Sequence, residues 1–309
     1  MGDVLMKKIF ISIIAMLLFL TGCSLEPPLE KNDSGKSNKK KEDIVIGVSI
    51  STLNNPFFVK IKDGIEAEAK KQGIKVKFAD AQDDAAKQAN DIDDLIQQNV
   101  DYLIVNPTDS DAISGSIQIA NDQNIPVVTL DREVAKGNVA SFIASDNVKG
   151  GEMAGKLIVE KFGKDTKVAE LEGIPGASAT RERGKGFHNV ADDSLDVVSK
   201  QSAKFNRTEG LNVTQNIIQA HPDIKAIFAQ NDEMALGAVE AVGNKDIKVI
   251  GFDGNEDAIK SVDNQKLYAT VAQQPHLMGE ESVKTVIDLI EGKKVEKKHK
   301  IPLEMKQQK

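Results

Sequence analysis

Ile44-Val45-Ile46-Gly47-Val48-Ser49-Ile50, closed by Ser51-Thr52-Leu53-Asn54-Asn55-Pro56, is the most telling stretch of the chain. The run is almost continuously apolar, which suits a strand buried on both faces by helices. After the Asn54-Asn55-Pro56 turn, Phe58, Ile61, Ile65 and Ala69 recur at helical spacing, and Gly73 stops that helix. The alternation continues outward. Ile74 to Ala79 reads as a strand, and Ala85, Ala89, Ile92 and Ile96 stripe the next helix. Further strands are expected at Tyr102–Val105 and Ile125–Leu130, and near Lys167–Leu171, Leu195–Ser199, Ala226–Ala229, Lys248–Phe252 and Tyr268–Ala272. Such a rhythm predicts an α/β fold of parallel sheets flanked by helices. This many units exceed one typical domain, so two sheets are expected.

The composition agrees. The chain has 309 residues, 40% hydrophobic and 28% charged, enough apolar matter for a core and about two domains. A net charge of -7 argues against a general phosphate-backbone binder, so no nucleic-acid partner is expected. With no Trp and two Tyr, stacking on a ligand falls to the eleven Phe. The single Cys excludes an internal disulfide and any Cys-based metal cluster.

The start of the chain reads as an address. Lys7 and Lys8 precede an apolar run from Ile9 to Leu20. Those twelve residues would make about 18 Å of helix, short of the roughly 30 Å of hydrocarbon in a bilayer. A positive start, a short apolar stretch and small residues make a secretory signal, in which Met6 is as natural a start as Met1. Leu20-Thr21-Gly22-Cys23 resembles the bacterial lipobox, in which the Cys is lipidated and becomes residue one. We therefore expect a signal peptide over 1–22 and a lipidated Cys23 followed by a flexible tether over 23–43, rich in Pro, Ser, Gly, Asn and Lys. The expected location is the extracytoplasmic face of the cell membrane, held by lipid.

Polar residues follow the strands. Ile50 leads to Ser51 and Asn55, Val105 to Asn106, Leu130 to Asp131-Arg132, and Ala144 to Asp146-Asn147. Ala229 leads to Gln230-Asn231-Asp232, Phe252 to Asp253 and Ala272 to Gln273. Open parallel sheets bind ligands outside the carboxyl ends of their strands. Strand ends and helix N-caps also favour Asn and Asp for local reasons, so no one of these residues marks a site. Together, acceptors, forked donors and two-way amides suit a small polyhydroxyl compound.

Motifs for catalysis are missing. There is no G-x-G-x-x-G and no H-E-x-x-H. Gly150-Gly151-Glu152-Met153-Ala154-Gly155-Lys156 imitates a phosphate loop, but Leu157 stands where Ser or Thr should bind magnesium, and the stretch reads as a closely packed helix. His188, His221, His276 and His299 are scattered singly and are expected at the surface. The pairs Asp83-Asp84, Asp93-Asp94 and Asp192-Asp193 are expected in water, and the oxygen-rich calcium loop is absent. No cofactor and no metal site are expected.

Ser51-Thr52-Leu53-Asn54-Asn55-Pro56-Phe57-Phe58 resembles the opening of the bacterial ribose-binding proteins, type I substrate-binding proteins that feed ABC importers. Matching segments follow in order: Asn106-Pro107-Thr108-Asp109-Ser110-Asp111, Thr129-Leu130-Asp131-Arg132, Ala144-Ser145-Asp146-Asn147, Arg181-Glu182-Arg183-Gly184, Gln230 through Gly237, and Gly251-Phe252-Asp253-Gly254. The resemblance runs from about Ile44 to the C-terminus. It implies two Rossmann-like lobes joined by a three-crossing hinge. Residues 44–145 with 274–302 would form one lobe, and 146–273 with 303–309 the other, with crossings near Ser145, Gln273 and Pro302. It implies D-ribose or a similar small sugar as ligand, a membrane permease as partner, a monomer, and no enzymatic activity.

Carried over, Asn55 and Asn106 would bond sugar hydroxyls from the first lobe, Asp131 would accept hydroxyl protons and Arg132 would donate. Arg183, Asn231, Asp253 and Gln273 would complete the shell. Phe57, Phe58 and Phe205 would pack on the sugar's C–H faces, with Ser51 and Asn147 in support. Other readings stay open. Phe58 lies on the apolar stripe of its helix whereas Phe57 sits off it, Arg183 could pair with Glu182 or Glu172, and Asp131-Arg132 could be a salt bridge. Flanking arginines favour the ionised forms of Asp131 and Asp253, hydrogen-bond acceptors rather than a catalytic carboxylate pair. A repressor with this core would need a basic helix-turn-helix where the export signal stands. Another sugar, such as allose, another pentose or a furanosyl signalling molecule, is the alternative ligand. The missing Trp and calcium loop disfavour the galactose type.

Overall fold

The structure is a computed structural model that describes residues 39–309; the signal, lipobox and most of the tether lie outside the described residues. Strands and helices alternate along the chain. The first half runs β1 (Val45–Ile50), α1 (Pro56–Gln72), β2 (Lys75–Asp80), α2 (Ala85–Gln97), β3 (Tyr102–Val105), α3 (Ser114–Asp122), β4 (Val127–Leu130) and β5 (Ser141–Ser145). The second runs α4 (Asn147–Phe162), β6 (Thr166–Glu172), α5 (Ser178–Ala191), β7 (Leu195–Ser202), α6 (Arg207–Ala220), β8 (Ala226–Ala229), α7 (Asp232–Val242), β9 (Lys248–Asp253), α8 (Glu256–Asp263) and β10 (Ala269–Ala272). Then come α9 (Pro275–Ile290), β11 (Lys298–Ile301) and β12 (Glu304–Gln307).

Two six-stranded sheets result, ordered β11-β5-β4-β3-β1-β2 and β12-β10-β9-β8-β6-β7. The orders are copies of one another. In both, the direction of winding reverses beside the first strand, between β1 and β3 and between β6 and β8, where open sheets leave a crevice for ligand. The chain enters the second sheet after β5, returns through α9 and β11, and crosses again to β12. Helices cover both faces of each sheet. In the first, α1 and α9 pack on one face through Phe58, Ile61, Ile65, Met278 and Val286, while α2 and α3 cover the other through Ile92, Ile96, Ile113 and Ile117. The burial of β1 from Ile46 to Ile50 follows from this double cover.

Two differences from the sequence reading have one cause. Lys298-His299-Lys300-Ile301 and Glu304-Met305-Lys306-Gln307 carry no apolar run, yet they are edge strands; β12 pairs antiparallel to β10 within otherwise parallel sheets. Edge strands need only one paired neighbour and tolerate charge, so polarity hides them.

The P-loop imitation lies within α4, as close packing demands. A Cβ at Gly151 would sit 2.1 Å from the Arg183 carbonyl oxygen, and one at Gly186 would sit 1.9 Å from that of Val148. These reciprocal glycines press α4 and α5 together at backbone distance, as Gly64 with Gly279 and Gly210 with Gly237 do for two other helix pairs.

Candidate functional site

The carboxyl ends of both sheets face one cavity. Its walls are Asn55, Phe57, Phe58, Asp131 and Arg132 from the first sheet's loops and Ala179, Arg183, Phe205, Asn231 and Asp253 from the second's. Asn55, Phe58, Arg132 and Phe205 also border an outer pocket of about 140 Å³, lined as well by Asp83, Lys204 and Arg207.

Local structure explains each position. Asn55 caps α1, its Oδ1 accepting from the Phe57 N–H at 2.9 Å, with Pro56 at the first helical position. Asn231 caps α7 through the Met234 N–H in the same way. The capping and cavity readings therefore coexist, because one amide oxygen holds the helix while the NH2 group remains to donate elsewhere. In Asn231 that group reaches the Phe205 carbonyl at 3.3 Å. Phe57, off the apolar stripe, is as buried as Phe58 because it joins the same core cluster of the first sheet; the two rings meet edge to face at 5.2 Å.

Four charges are buried together: Asp131, Arg132, Arg183 and Asp253, each at most 3% exposed. Arg183 Nη2 lies 3.8 Å from Asp131 Oδ1 across the two halves, and Arg183 Nη1 lies 3.6 Å from Asp253 Oδ1. Arg132 Nε lies 3.6 Å from Asp131 Oδ2. The formal charges cancel, so an uncharged polar ligand fits the set. Both guanidinium groups are fixed from behind. Arg183 donates to Asn147 Oδ1 at 2.9 Å and to the Gln230 carbonyl at 2.7 Å, over the Phe252 ring at 3.9 Å. Arg132 donates to the Pro107 carbonyl at 3.0 Å and lies between the Phe58 and Phe205 rings. Arg183 thus pairs with neither Glu182 nor Glu172. Asp131 Oδ1, Arg132 Nε and Gln273 Oε1 are buried without hydrogen-bond partners, so each retains capacity for a polar ligand.

Electrostatics corrects one expectation. Burial pushes the Asp253 carboxyl up to about 7, and the opposing pull of Arg183 and the Gln273 hydrogen bond does not cancel it. Proximity to an arginine is readable in sequence, but the desolvation that outweighs it is not. Burial also lowers Arg132, against the pull of Asp131. Three wall residues hold left-handed or strained backbone: Asp131 at φ 59°, Phe205 at φ 57° and Asp253 at φ 127°.

Nine of the eleven residues expected around a ligand line this cavity; Asn106 and Gln273 are buried at the neighbouring strand ends. Asn106 Oδ1 accepts from the Ser51 hydroxyl at 2.6 Å and its Nδ2 donates to the Leu130 carbonyl at 3.1 Å, tying the ends of β1, β3 and β4. Gln273 Nε2 donates to Asp253 Oδ1 at 2.9 Å. Ser51 acts on Asn106, and Asn147 bridges Arg183 to Glu182 Oε2. Sequence reasoning missed Ala179 as a wall residue and Phe252 beneath Arg183, since neither small size nor an apolar strand end signals a cavity.

His188 is not a free surface group. Its Nε2 lies 2.9 Å from Oε2 of fully buried Glu170 and its Nδ1 lies 2.6 Å from Asp192 Oδ1, so Asp192 is not merely solvated. The hydrogen bond to Glu170 leads in raising the imidazole to about 9, with Asp192 adding to it. Glu170 in turn accepts from Gln230 Nε2 at 2.8 Å. Among the described residues no cluster of His, Cys, Asp and Glu could hold a metal, and no helix is long and apolar enough to cross a membrane.

Comparison with known proteins is consistent with this geometry. Residues 46–294 match the periplasmic binding protein domain model. The chain is 58% identical over 307 residues to the ribose import binding protein RbsB of Bacillus subtilis, covering 98% of this chain and all of that protein. It is 48% identical over 264 residues to RbsB of Escherichia coli K12, covering 84% and 89%. Among solved structures it resembles a solute-binding protein from Actinobacillus succinogenes with bound D-allose, at a TM-score of 0.79 and 30% identity, covering 85% of this chain and 97% of that one.

Proposed function

The chain belongs to the periplasmic binding protein domain family, and from that membership we propose that it binds D-ribose between its two halves and delivers it to the permease of an ABC importer. The observation that carries this reading is the buried set Asp131, Arg132, Arg183 and Asp253, whose formal charges cancel, contributed by both halves, with Asp131 Oδ1 and Arg132 Nε ion-paired but without hydrogen-bond partners. Sugar hydroxyls both donate and accept, so one ring can engage carboxylates and guanidinium groups together, while Phe57, Phe58 and Phe205 cover its C–H faces. A site built this way rejects an analogue that leaves one of its charges unpaired. The two RbsB relatives support ribose, and the allose-bound neighbour supports the alternative of another small sugar.

Residues 44–145 with 274–302 form one lobe in this reading and 146–273 with 303–309 the other, hinged near Ser145, Gln273 and Pro302. Ligand selects the closed arrangement because only there do both sets of contacts exist. The protein acts as a monomer by binding alone; no bond is broken. Cys23 carries the lipid that holds it on the extracytoplasmic face.

Thermal unfolding with a panel of sugars tests the ligand. At about a hundred times Kd, ribose should stabilise by roughly 2.7 kcal/mol and shift the transition more than any other sugar. A flat response across pentoses would defeat the assignment.

A further inference from the structure

Asp232 is fully buried, carries a titratable group, and does not line the cavity. Its surroundings are built around it. Oδ2 accepts the Asn255 N–H at 2.8 Å, and Oδ1 accepts the Thr270 hydroxyl at 2.7 Å. The same hydroxyl accepts the Gly254 N–H at 3.3 Å. A Cβ at Gly251 would stand 2.3 Å from Asp232 Oδ1, so the strand next to it leaves room for this carboxyl and little else. These partners flank one residue. Asp253 precedes Gly254 and Asn255 and holds φ at 127°, a conformation L-residues avoid and which persists only where its surroundings enforce it. On its other side, the Gln273 N–H and Nε2 bond the Asp253 carbonyl and Oδ1 at 2.8 and 2.9 Å.

We propose that Asp232, through Thr270 and the backbone of Gly254 and Asn255, is a positioning residue for ligand recognition. It clamps the 253–255 turn so that Asp253 presents its carboxyl to the cavity beside Arg183. It touches no ligand and acts only through Asp253. Because a sugar hydroxyl needs its acceptor within a narrow range of distance and angle, a turn free to relax its strain loses the acceptor without losing the fold.

The effect on sugar rests on the ribose reading; the clamp itself does not. The test uses Asp232→Leu, which removes both acceptor oxygens, Asp232→Asn, which keeps one acceptor for the Asn255 N–H, and Thr270→Val as a milder cut should Asp232→Leu fold poorly. Amide hydrogen exchange without ligand should show Gly254 and Asn255 protected in the wild type. Both should exchange at least tenfold faster in Asp232→Leu, and Gly254 should do so in Thr270→Val. Ribose Kd should rise at least tenfold in Asp232→Leu and stay within threefold of wild type in Asp232→Asn. In an Asp253→Asn background, Asp232→Leu should change Kd by less than twofold, since the residue it acts through is already disabled. Unchanged exchange at Asn255, or an equal penalty in both backgrounds, overturns the proposal. A wild type that binds no sugar sinks the ribose reading instead, while the exchange measurement still decides the clamp.

Discussion

Asp253 shows what a single residue does when burial and charge oppose each other. Its carboxyl sits near 7 because desolvation outweighs Arg183 and Gln273. Since that value lies above the ordinary 3.8, Asp253's own contribution to the stability of the ligand-free protein is complete below about pH 4 and is lost as pH rises through 7. A sugar hydroxyl donating to the carboxylate favours the ionised form. Ribose affinity should therefore increase from pH 6 to pH 8, with proton release seen by calorimetry in buffers of different ionisation enthalpy, and Asp253→Asn should flatten the profile. His188 has the opposite chemistry and the same sign. Raised to about 9 from 6.5, its stabilising charge is complete below pH 6.5 and lost as pH climbs through 9. With solvent screening of its partly exposed ring, about 1–2 kcal/mol is expected. His188→Gln should remove the fall in melting temperature between pH 7 and pH 10; an unaltered slope would refute the pairing with Glu170. The strand-end polar residues were legible in sequence because their types are unusual for a core. Their division of labour was not, since Asn106, which ties strand ends together, is the same kind of residue as Asn55 and Asn231, which line the cavity, and only packing separates them.

At the scale of elements, the helix pairs carry the site. Arg183 sits on α5 with its carbonyl against Gly151 of α4, so helix spacing and guanidinium position are one variable. Gly151→Ala should force the helices apart, cost about 1–3 kcal/mol in unfolding experiments, and weaken the ribose response because Arg183 moves with its backbone. An alanine variant that melts and binds like wild type would show that α5 yields elsewhere. The helices were readable from apolar periodicity, and the β1 run announced a doubly covered strand. The polar strands β11 and β12 were not readable, because their partners β5 and β10 lie far away in sequence and the pairing, not the composition, makes them strands.

On the scale of the whole molecule, binding and location are separate questions. The two sheets repeat one strand order, and the cavity takes walls from both, so neither half alone contains the site. The proposed membrane attachment rests on Cys23, outside the described residues. If Cys23 is lipidated as the lipobox resemblance implies, metabolic palmitate labelling should disappear in Cys23→Ala while purified variant and wild type respond equally to ribose; labelling that survives the substitution would exclude Cys23 as the anchor.

Fold class, the alternation that builds two sheets, and the set of polar residues at strand ends were all readable along the chain, because periodicity, turn chemistry and residue type are local properties. It took the three-dimensional packing to show which of those residues share a cavity, that burial raises the Asp253 carboxyl against its arginine, and that Asp232 and Gln230 brace the site from behind. Those outcomes depend on burial and on distances between segments far apart in the chain, and no window of sequence contains either.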